Sequence, residues 1–147
     1  MDGRLFLGTA RFLQSERTDE AAYRSAVSRA YYACFITARN KAFATCQPQA
    51  RTIAGIGNER DIRHQSLQQY LKSSPTETVR RLGEDLASLH GIRQDADYDM
   101  SKTISSADAK DAIDQAEAFL NELSETPPQE IGRAVEGHIR KTHKGFD

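Results

Sequence analysis

The sequence predicts an all-α protein, and three features of the 147-residue chain point to it. Apolar residues recur every three to four positions in several long segments, no segment alternates as a half-buried strand does, and helix-capping signals punctuate the chain. We expect an up-and-down bundle of four main helices with short accessory helices. Residues 1–126 are expected to form this bundle, and residues 127–147 a C-terminal short helix with a basic tail.

The first half of the chain predicts three helices. The first is short and lies around residues 5–13. Thr18 is a plausible N-cap for a long second helix over 19–46, whose small residues Ala22, Ala26, Ala30 and Ala33 form one stripe that suits close approach of a neighbour. Residues 47–58 contain one proline and two glycines and predict a loop. Asn58 is expected to cap a third helix over 59–73.

Stronger signals mark the second half. The stretch Ser-Pro-Thr-Glu at 74–77 predicts a fourth helix capped by Ser74 with Pro75 at its first position. Acidic residues oppose the dipole at a helix C-terminus, so this helix either ends by about Asp95 or has some of its acids paired. Ser105 or Ser106 should cap a fifth helix that the double proline at 127–128 stops. A final helix over 129–143 precedes a basic end expected to be loose.

Composition excludes several classes of protein. Twenty basic residues nearly balance 21 acidic ones, and the net charge of −1 argues against a basic protein that coats nucleic acid, while a local basic patch stays open. No apolar run is long enough to cross a membrane, and the N-terminus does not read as a secretory signal. Cys34 and Cys46 are too far apart on one helix to pair, at roughly 18 Å. We therefore expect a cytoplasmic protein without membrane or DNA partners.

The sequence does not match the residue patterns of known metal sites. Asp95, Asp97 and Asp99 match the opening of a calcium loop, but such a loop needs glycine at its sixth position and glutamate at its twelfth, where Met100 and Ser106 stand. No Glu-x-x-His pair of a di-iron bundle is present, and the four histidines are scattered. We expect neither a metal nor another cofactor.

Two stretches, Arg-Ala-Tyr-Tyr-Ala at 29–33 and Arg-Gln-Asp-Ala-Asp-Tyr-Asp at 93–99, resemble the HEPN superfamily, in particular its small stand-alone prokaryotic members. The resemblance covers roughly residues 19–124, including the Ala-rich helix that ends in Phe119 and Leu120. It implies a homodimer that binds RNA or cleaves it without a metal. In many two-gene systems of this family the chain is a toxin, and its partner is a minimal nucleotidyltransferase antitoxin.

The resemblance also implies site residues. Catalytic family members carry an Arg-x4-His motif, paired across the dimer interface, in which arginine steadies the phosphate and histidine moves protons. Here Arg93 matches the arginine and Tyr98 stands at the histidine position. A free tyrosine, with a pKa near 10, is a poor general base at neutral pH. Whether the chain is an enzyme therefore stays open. The candidate binding residues beside this pair are Arg29, Tyr32, Gln94 and Asp97.

Other interpretations stay open beside this one. The chain is an RNA-binding or toxin-like module, an active ribonuclease that takes its histidine from elsewhere, such as His64 or His90, or a non-catalytic helical assembly subunit. Arg29, Arg93 and Asp97 could instead form an ion pair that joins two helices. Arg133 and His138 also have the Arg-x4-His spacing, but they lie beyond the double proline, outside the element that the family uses.

Overall fold

A computed structural model describes residues 2–143, and in this range the chain is all-helical, as predicted. Its elements, in chain order, are α1 (Arg4–Glu16), α2 (Glu20–Thr45), α3 (Pro48–Ile53), a 3-10 helix (Glu59–Asp61), α4 (His64–Lys72), α5 (Glu77–Tyr98), α6 (Ser106–Glu125) and α7 (Pro128–Thr142). The expected loose end, residues 140–147, is helical to Thr142, and residues 144–147 lie outside the described range. None of the described helices is both long and apolar enough to cross a membrane.

The helix-start signals at Ser105 and Asn58 are confirmed by hydrogen bonds. Ser105 Oγ accepts from the amide of Asp108, whose carboxylate accepts from the Ser105 amide, so the two residues cap α6 reciprocally. Asn58 and Asp61 form the same arrangement at the 3-10 helix. The predicted third helix is nevertheless interrupted, because Ile62 takes an extended conformation and is buried.

Two predictions about chain segments are wrong, and the cause in each case is local. Residues 47–58 are not all loop, since Pro48 begins a one-and-a-half-turn helix and Gly55, at a φ of 74°, ends it. The amides of Gly55 and Ile56 bond the carbonyls of Thr52 and Arg51, which is the Schellman pattern that glycine favours.

The start of α5 is also displaced. The helix begins at Glu77 and not at Pro75, because the side chain of Arg80 donates to the carbonyls of Ser74 and Pro75 at 3.1 and 3.0 Å and holds them outside the helix. Ser74 Oγ accepts from the amide of Thr76, at 3.0 Å, in the turn before the helix. The predicted cap, Ser74, therefore closes this turn and does not cap the helix.

The chain divides into two compact units. One contains the residues up to Thr37 together with Ser88–Asn121, and the other contains Ala38–Ala87 together with the chain from Glu122 onward. Helices α2, α5 and α6 contribute residues to both. Each unit has its own apolar core.

The core of the first unit depends on the small residues of α2. Ala26, Ala30 and Ala33 are fully buried, and the thiol of Cys34 donates to the carbonyl of Ala116 on α6, at 3.5 Å. The predicted small-residue stripe therefore allows α2 and α6 to approach closely. The larger side chains that fill this unit are Leu7, Val27, Tyr31, Phe35, Leu89, Ile113, Phe119 and Leu120.

In the second unit α7 packs against α3 and α4. Gly132 of α7 lies directly against the backbone of Thr45, close enough that no side chain fits between them. The buried apolar residues of this unit include Ala38, Ala42, Ala50, Leu67, Leu71, Leu82, Leu86, Leu123, Ile131, Val135 and Ile139. Both cysteines of the chain are buried and free, which agrees with the prediction that they do not pair.

Candidate functional site

Arg93 lies near the C-terminal end of α5, with only 13% of its side chain exposed, and it organises the predicted site residues. Its Nη2 donates to the hydroxyl of Tyr32, at 2.9 Å. Its Nε lies 2.8 Å from Oδ2 of Asp97, one turn along the same helix, but the N–H is not directed at that oxygen. The Arg93–Asp97 contact is therefore an ion pair without an aligned hydrogen bond.

Two tyrosine rings lie beside the same guanidinium. Cζ of Arg93 is 5.1 Å from the centre of the Tyr32 ring and 5.5 Å from that of Tyr98, both within the range of cation–π attraction. Tyr98 is 72% exposed, so its ring covers the arginine on one side and faces water on the other. We call these four residues, Arg93, Tyr32, Asp97 and Tyr98, the Arg93 cluster.

The cluster is joined to α2 by hydrogen bonds. Ser28 Oγ donates to the carboxylate of Asp97 at 3.2 Å, and Tyr32 receives the bond from Arg93 described above. Arg29, which the sequence suggested as a partner in this ion pair, lies outside it. Within residues 2–143 the exposed guanidinium of Arg29 makes no ion pair or hydrogen bond. The two helices are therefore joined by a serine and a tyrosine instead.

An open groove of about 430 Å³ runs along the cluster. Its lining combines apolar and polar side chains, with Arg29 as its cation and Asp97 as its anion. The other lining residues are Phe6, Ser25, Ser28, Tyr32 and Ile36. Because Asp97 is already paired with Arg93, the charge of Arg29 is not neutralised within the groove. The groove can therefore receive an anion beside an aromatic surface.

Sequence reasoning missed Arg24, which fixes the end of α5. Its Nη1 donates to the carbonyls of Ala96, Asp95 and Asp99 at 2.9, 3.2 and 3.2 Å, and its Nη2 donates to the carbonyl of Lys102. A guanidinium among the last carbonyls of a helix satisfies them and offsets the negative end of the dipole. This explains why α5 continues to Tyr98 and does not end at Asp95.

A sequence signal for this contact was present. Arg24, Ser28 and Tyr32 are spaced by four residues, which places them in one row along α2. All three contact the C-terminal end of α5. This row of three polar side chains therefore marked the surface of α2 that meets the acidic stretch.

Each of the three aspartates at the end of α5 has a partner. Asp97 pairs with Arg93, and Asp95 pairs with Lys102 at 2.8 Å. Asp99 accepts from the hydroxyl and the amide of Ser101, and these bonds hold the pKa of Asp99 below its usual value. The alternative that some acids are paired is thus confirmed, and no group of three potential ligands is arranged around a metal position in residues 2–143.

Two of the histidines have clearly defined surroundings. The ring of His90 stacks on Tyr31 at 5.2 Å, and burial, helped by the nearby charge of Arg93, lowers the pKa of His90. His138 bonds to Ser73 through Nδ1, at 2.9 Å, whereas Arg133 is exposed. No hydrogen bond or ion pair joins Arg133 to His138 in the described residues, so the two do not form a pair.

Comparisons with known proteins find no match to this chain among protein-family models, curated proteins or solved structures. The resemblance to HEPN proteins therefore rests on the two sequence elements, both of which contribute to the Arg93 cluster.

Proposed function

We propose that this protein is a HEPN-type RNA-binding module of the toxin-like kind, acting as a homodimer. One observation carries the proposal. The ring of Tyr98, which occupies the position of the family's histidine, is exposed and lies against the guanidinium of Arg93, one residue after Asp97, which lines the groove.

This arrangement suits single-stranded RNA. Unpaired bases stack on exposed aromatic rings and on the planes of arginine side chains, and this contact tolerates any base. Arg29 is placed in the groove to pair with a phosphate, and Gln94 is exposed one residue after Arg93, with an amide that can bond a base edge. The Arg93 cluster then supplies the stacking surface, and the groove supplies the path of the backbone.

The exposure of Tyr98 also supports a nucleotidyltransferase partner. In some related two-gene systems that partner blocks the toxin by adenylylating a tyrosine of the motif, which requires an accessible phenol. The Tyr98 hydroxyl makes no hydrogen bond to any residue from 2 to 143 and is open to a second protein. Modification there would also remove the stacking surface, so one change would end RNA binding.

We expect Tyr98→Ala to weaken binding of a labelled single-stranded RNA by about tenfold or more, because a base loses its aromatic platform, which is worth about 1–3 kcal/mol. Tyr98→Phe keeps the ring and should bind as the native chain does. The measurement is fluorescence anisotropy on the full chain, with its dimeric mass checked by light scattering. Phe12→Ala removes another exposed ring, 61% accessible on α1, and is the matched control.

Substitution of Arg29 tests the proposed phosphate contact in the same binding experiment. Arg29→Ala should lower the affinity and reduce the salt dependence of binding by about one phosphate contact. Arg133→Ala, which removes an exposed arginine from α7, should do neither. Equal losses in Tyr98→Ala and Phe12→Ala, or a chain that is monomeric and binds no RNA, would contradict the proposal.

An active ribonuclease is the second candidate function, and the position and lowered pKa of His90 favour it. This residue lies one turn before Arg93 on α5, and its lowered pKa keeps the ring neutral at pH 7, as a general base requires. Its stacking on Tyr31 holds the ring against the core of the first unit, so cleavage would need the ring to reach the groove. RNA binding alone therefore accounts for more of the geometry.

Cleavage is tested by incubating the protein with tRNA and mRNA in EDTA. On the binding hypothesis we expect no cleavage, because no histidine occupies the motif position. EDTA-resistant cleavage that disappears in both Arg93→Lys and His90→Gln would establish the ribonuclease. Activity that persists in both variants would assign it to a contaminant. A purely structural assembly subunit is the less favoured third possibility, because it does not account for the unneutralised charge of Arg29 in the groove.

A further inference from the structure

A second cavity lies between α4 and α7 in the second unit and has no part in the Arg93 cluster. Its volume is about 590 Å³, within the range of small-molecule sites. The residues that matter for its chemistry are Gln65, Ser66, Gln69, Tyr70, His138 and His143. Among the residues from 2 to 143 that line it, none carries a carboxylate. A cation therefore finds no charged partner there.

The hydrogen bonds around Ser73 assign the proton of His138. Ser73 Oγ donates its one hydrogen to the carbonyl of Gln69, at 2.8 Å, so it can only accept from Nδ1 of His138, at 2.9 Å. Nδ1 is then the protonated nitrogen, and Nε2 keeps a bare lone pair while the ring is neutral. Burial, followed by the charges of His143 and Lys141, lowers the pKa of His138, so the neutral ring dominates at pH 7.

Several of the remaining lining groups can donate hydrogen bonds. The amides of Gln65 and Gln69, the hydroxyl of Ser66 and the ring of His143 make no hydrogen bond through their side chains within the described part of the chain. Amides and hydroxyls can turn either a donor or an acceptor toward a ligand, whereas Nε2 of a neutral His138 with its proton on Nδ1 can only accept. The charges that act on His138 are positive. The cavity therefore offers several adaptable donors to an anion, and one fixed acceptor to a proton that the anion carries.

We propose that this cavity binds a hydrogen phosphate group, either free or as a small monoester, whose oxygens accept from Gln65, Gln69 and Ser66. A monoester has a second pKa near 6, so near neutrality a fraction of it remains the monoanion, and we expect this form to bind by sharing its remaining proton with Nε2 of His138. A phosphodiester has no such proton. The site is thus chemically distinct from the RNA groove, and it does not depend on the proposed function.

The test is a titration of the full chain, with its histidines labelled with ¹⁵N, followed by NMR. We expect glycerol 3-phosphate and inorganic phosphate each to produce saturable shifts of the His138 and His143 ring signals, and dimethyl phosphate to bind at least about tenfold more weakly. Tighter binding of the ester assigns the site to a phosphorylated small molecule, and tighter binding of inorganic phosphate assigns it to the free ion. Either result supports the proposal.

Two variants make the test specific. Gln69→Ala removes one donor from an exposed position and should weaken binding by about tenfold, the usual effect of losing a hydrogen bond to a charged group. Gln129→Ala makes the same change at an exposed position of α7 outside the cavity and should leave binding unchanged. The absence of saturable shifts, an equal response to dimethyl phosphate, or equal affinities in the two variants would overturn the proposal.

Discussion

We expect Arg24→Ala to lower the free energy of unfolding by about 3 kcal/mol, a large effect for one polar side chain. Only 12% of the Arg24 side chain is exposed, and its guanidinium serves four backbone carbonyls at the end of α5. Hydrogen bonds to a charged group are each worth about 1.5–3 kcal/mol, and carbonyls that lose their donor regain only part of this from water.

The substitution should also affect the candidate site. Asp97 and Tyr98 occupy the last turn of α5, which the Arg24 contacts hold in helical form. Without these contacts, the negative end of the α5 dipole is no longer offset by the charge of Arg24 and repels the nearby carboxylates. We therefore expect the last turn to fray. RNA binding should therefore weaken in Arg24→Ala even at temperatures where the chain remains folded.

Urea denaturation followed by circular dichroism measures the stability. Arg17→Ala is the matched control, because Arg17 is 58% exposed and, among residues 2–143, pairs only with Asp19, two residues away. Exposed ion pairs of this kind contribute little, so we expect a change below about 0.5 kcal/mol. Arg24→Lys should fall between the two, since one ammonium cannot reach all four carbonyls. A loss in Arg24→Ala no larger than that in Arg17→Ala would refute the capping role.

The parts of the fold that could be predicted are those decided by residues close together in the sequence. The long helices could be predicted because their apolar residues repeat with the period of a helix, and because Ser105 caps α6 together with Asp108, three residues away. Helix α3 was missed because Pro48 and Gly55 have the same composition signature at the ends of a short helix as in a loop.

The site shows a different limit. Arg93 and Asp97 lie four residues apart on one helix, so their pairing could be predicted from the sequence. Arg24 caps carbonyls more than 70 residues away, and the partners are backbone atoms that carry no residue identity. The exclusion of Arg29 from the ion pair likewise depends on which face of α2 meets α5. Tertiary packing decides such contacts.

The second large effect is expected at Gly132, where Ala should destabilise the protein by about 2 kcal/mol. A Cβ at this position would overlap the carbonyl oxygen of Thr45 and come within 3.0 Å of its carbon. Both are backbone atoms and cannot turn aside as a side chain does, so α7 or the end of α2 must shift. Such overpacking typically costs about 1–3 kcal/mol, which outweighs the better helix propensity of alanine.

Gly137, on the same helix, provides a control of opposite sign. A Cβ there meets nothing within 4 Å, so Gly137→Ala should stabilise the protein by about 0.5–1 kcal/mol through helix propensity alone. Thermal and urea unfolding of the two single variants should therefore move in opposite directions. A stabilised Gly132→Ala variant would show that α7 and the Thr45 backbone are farther apart than this contact requires. Because α7 also carries His138, such a larger separation would also place one wall of the proposed phosphate cavity differently.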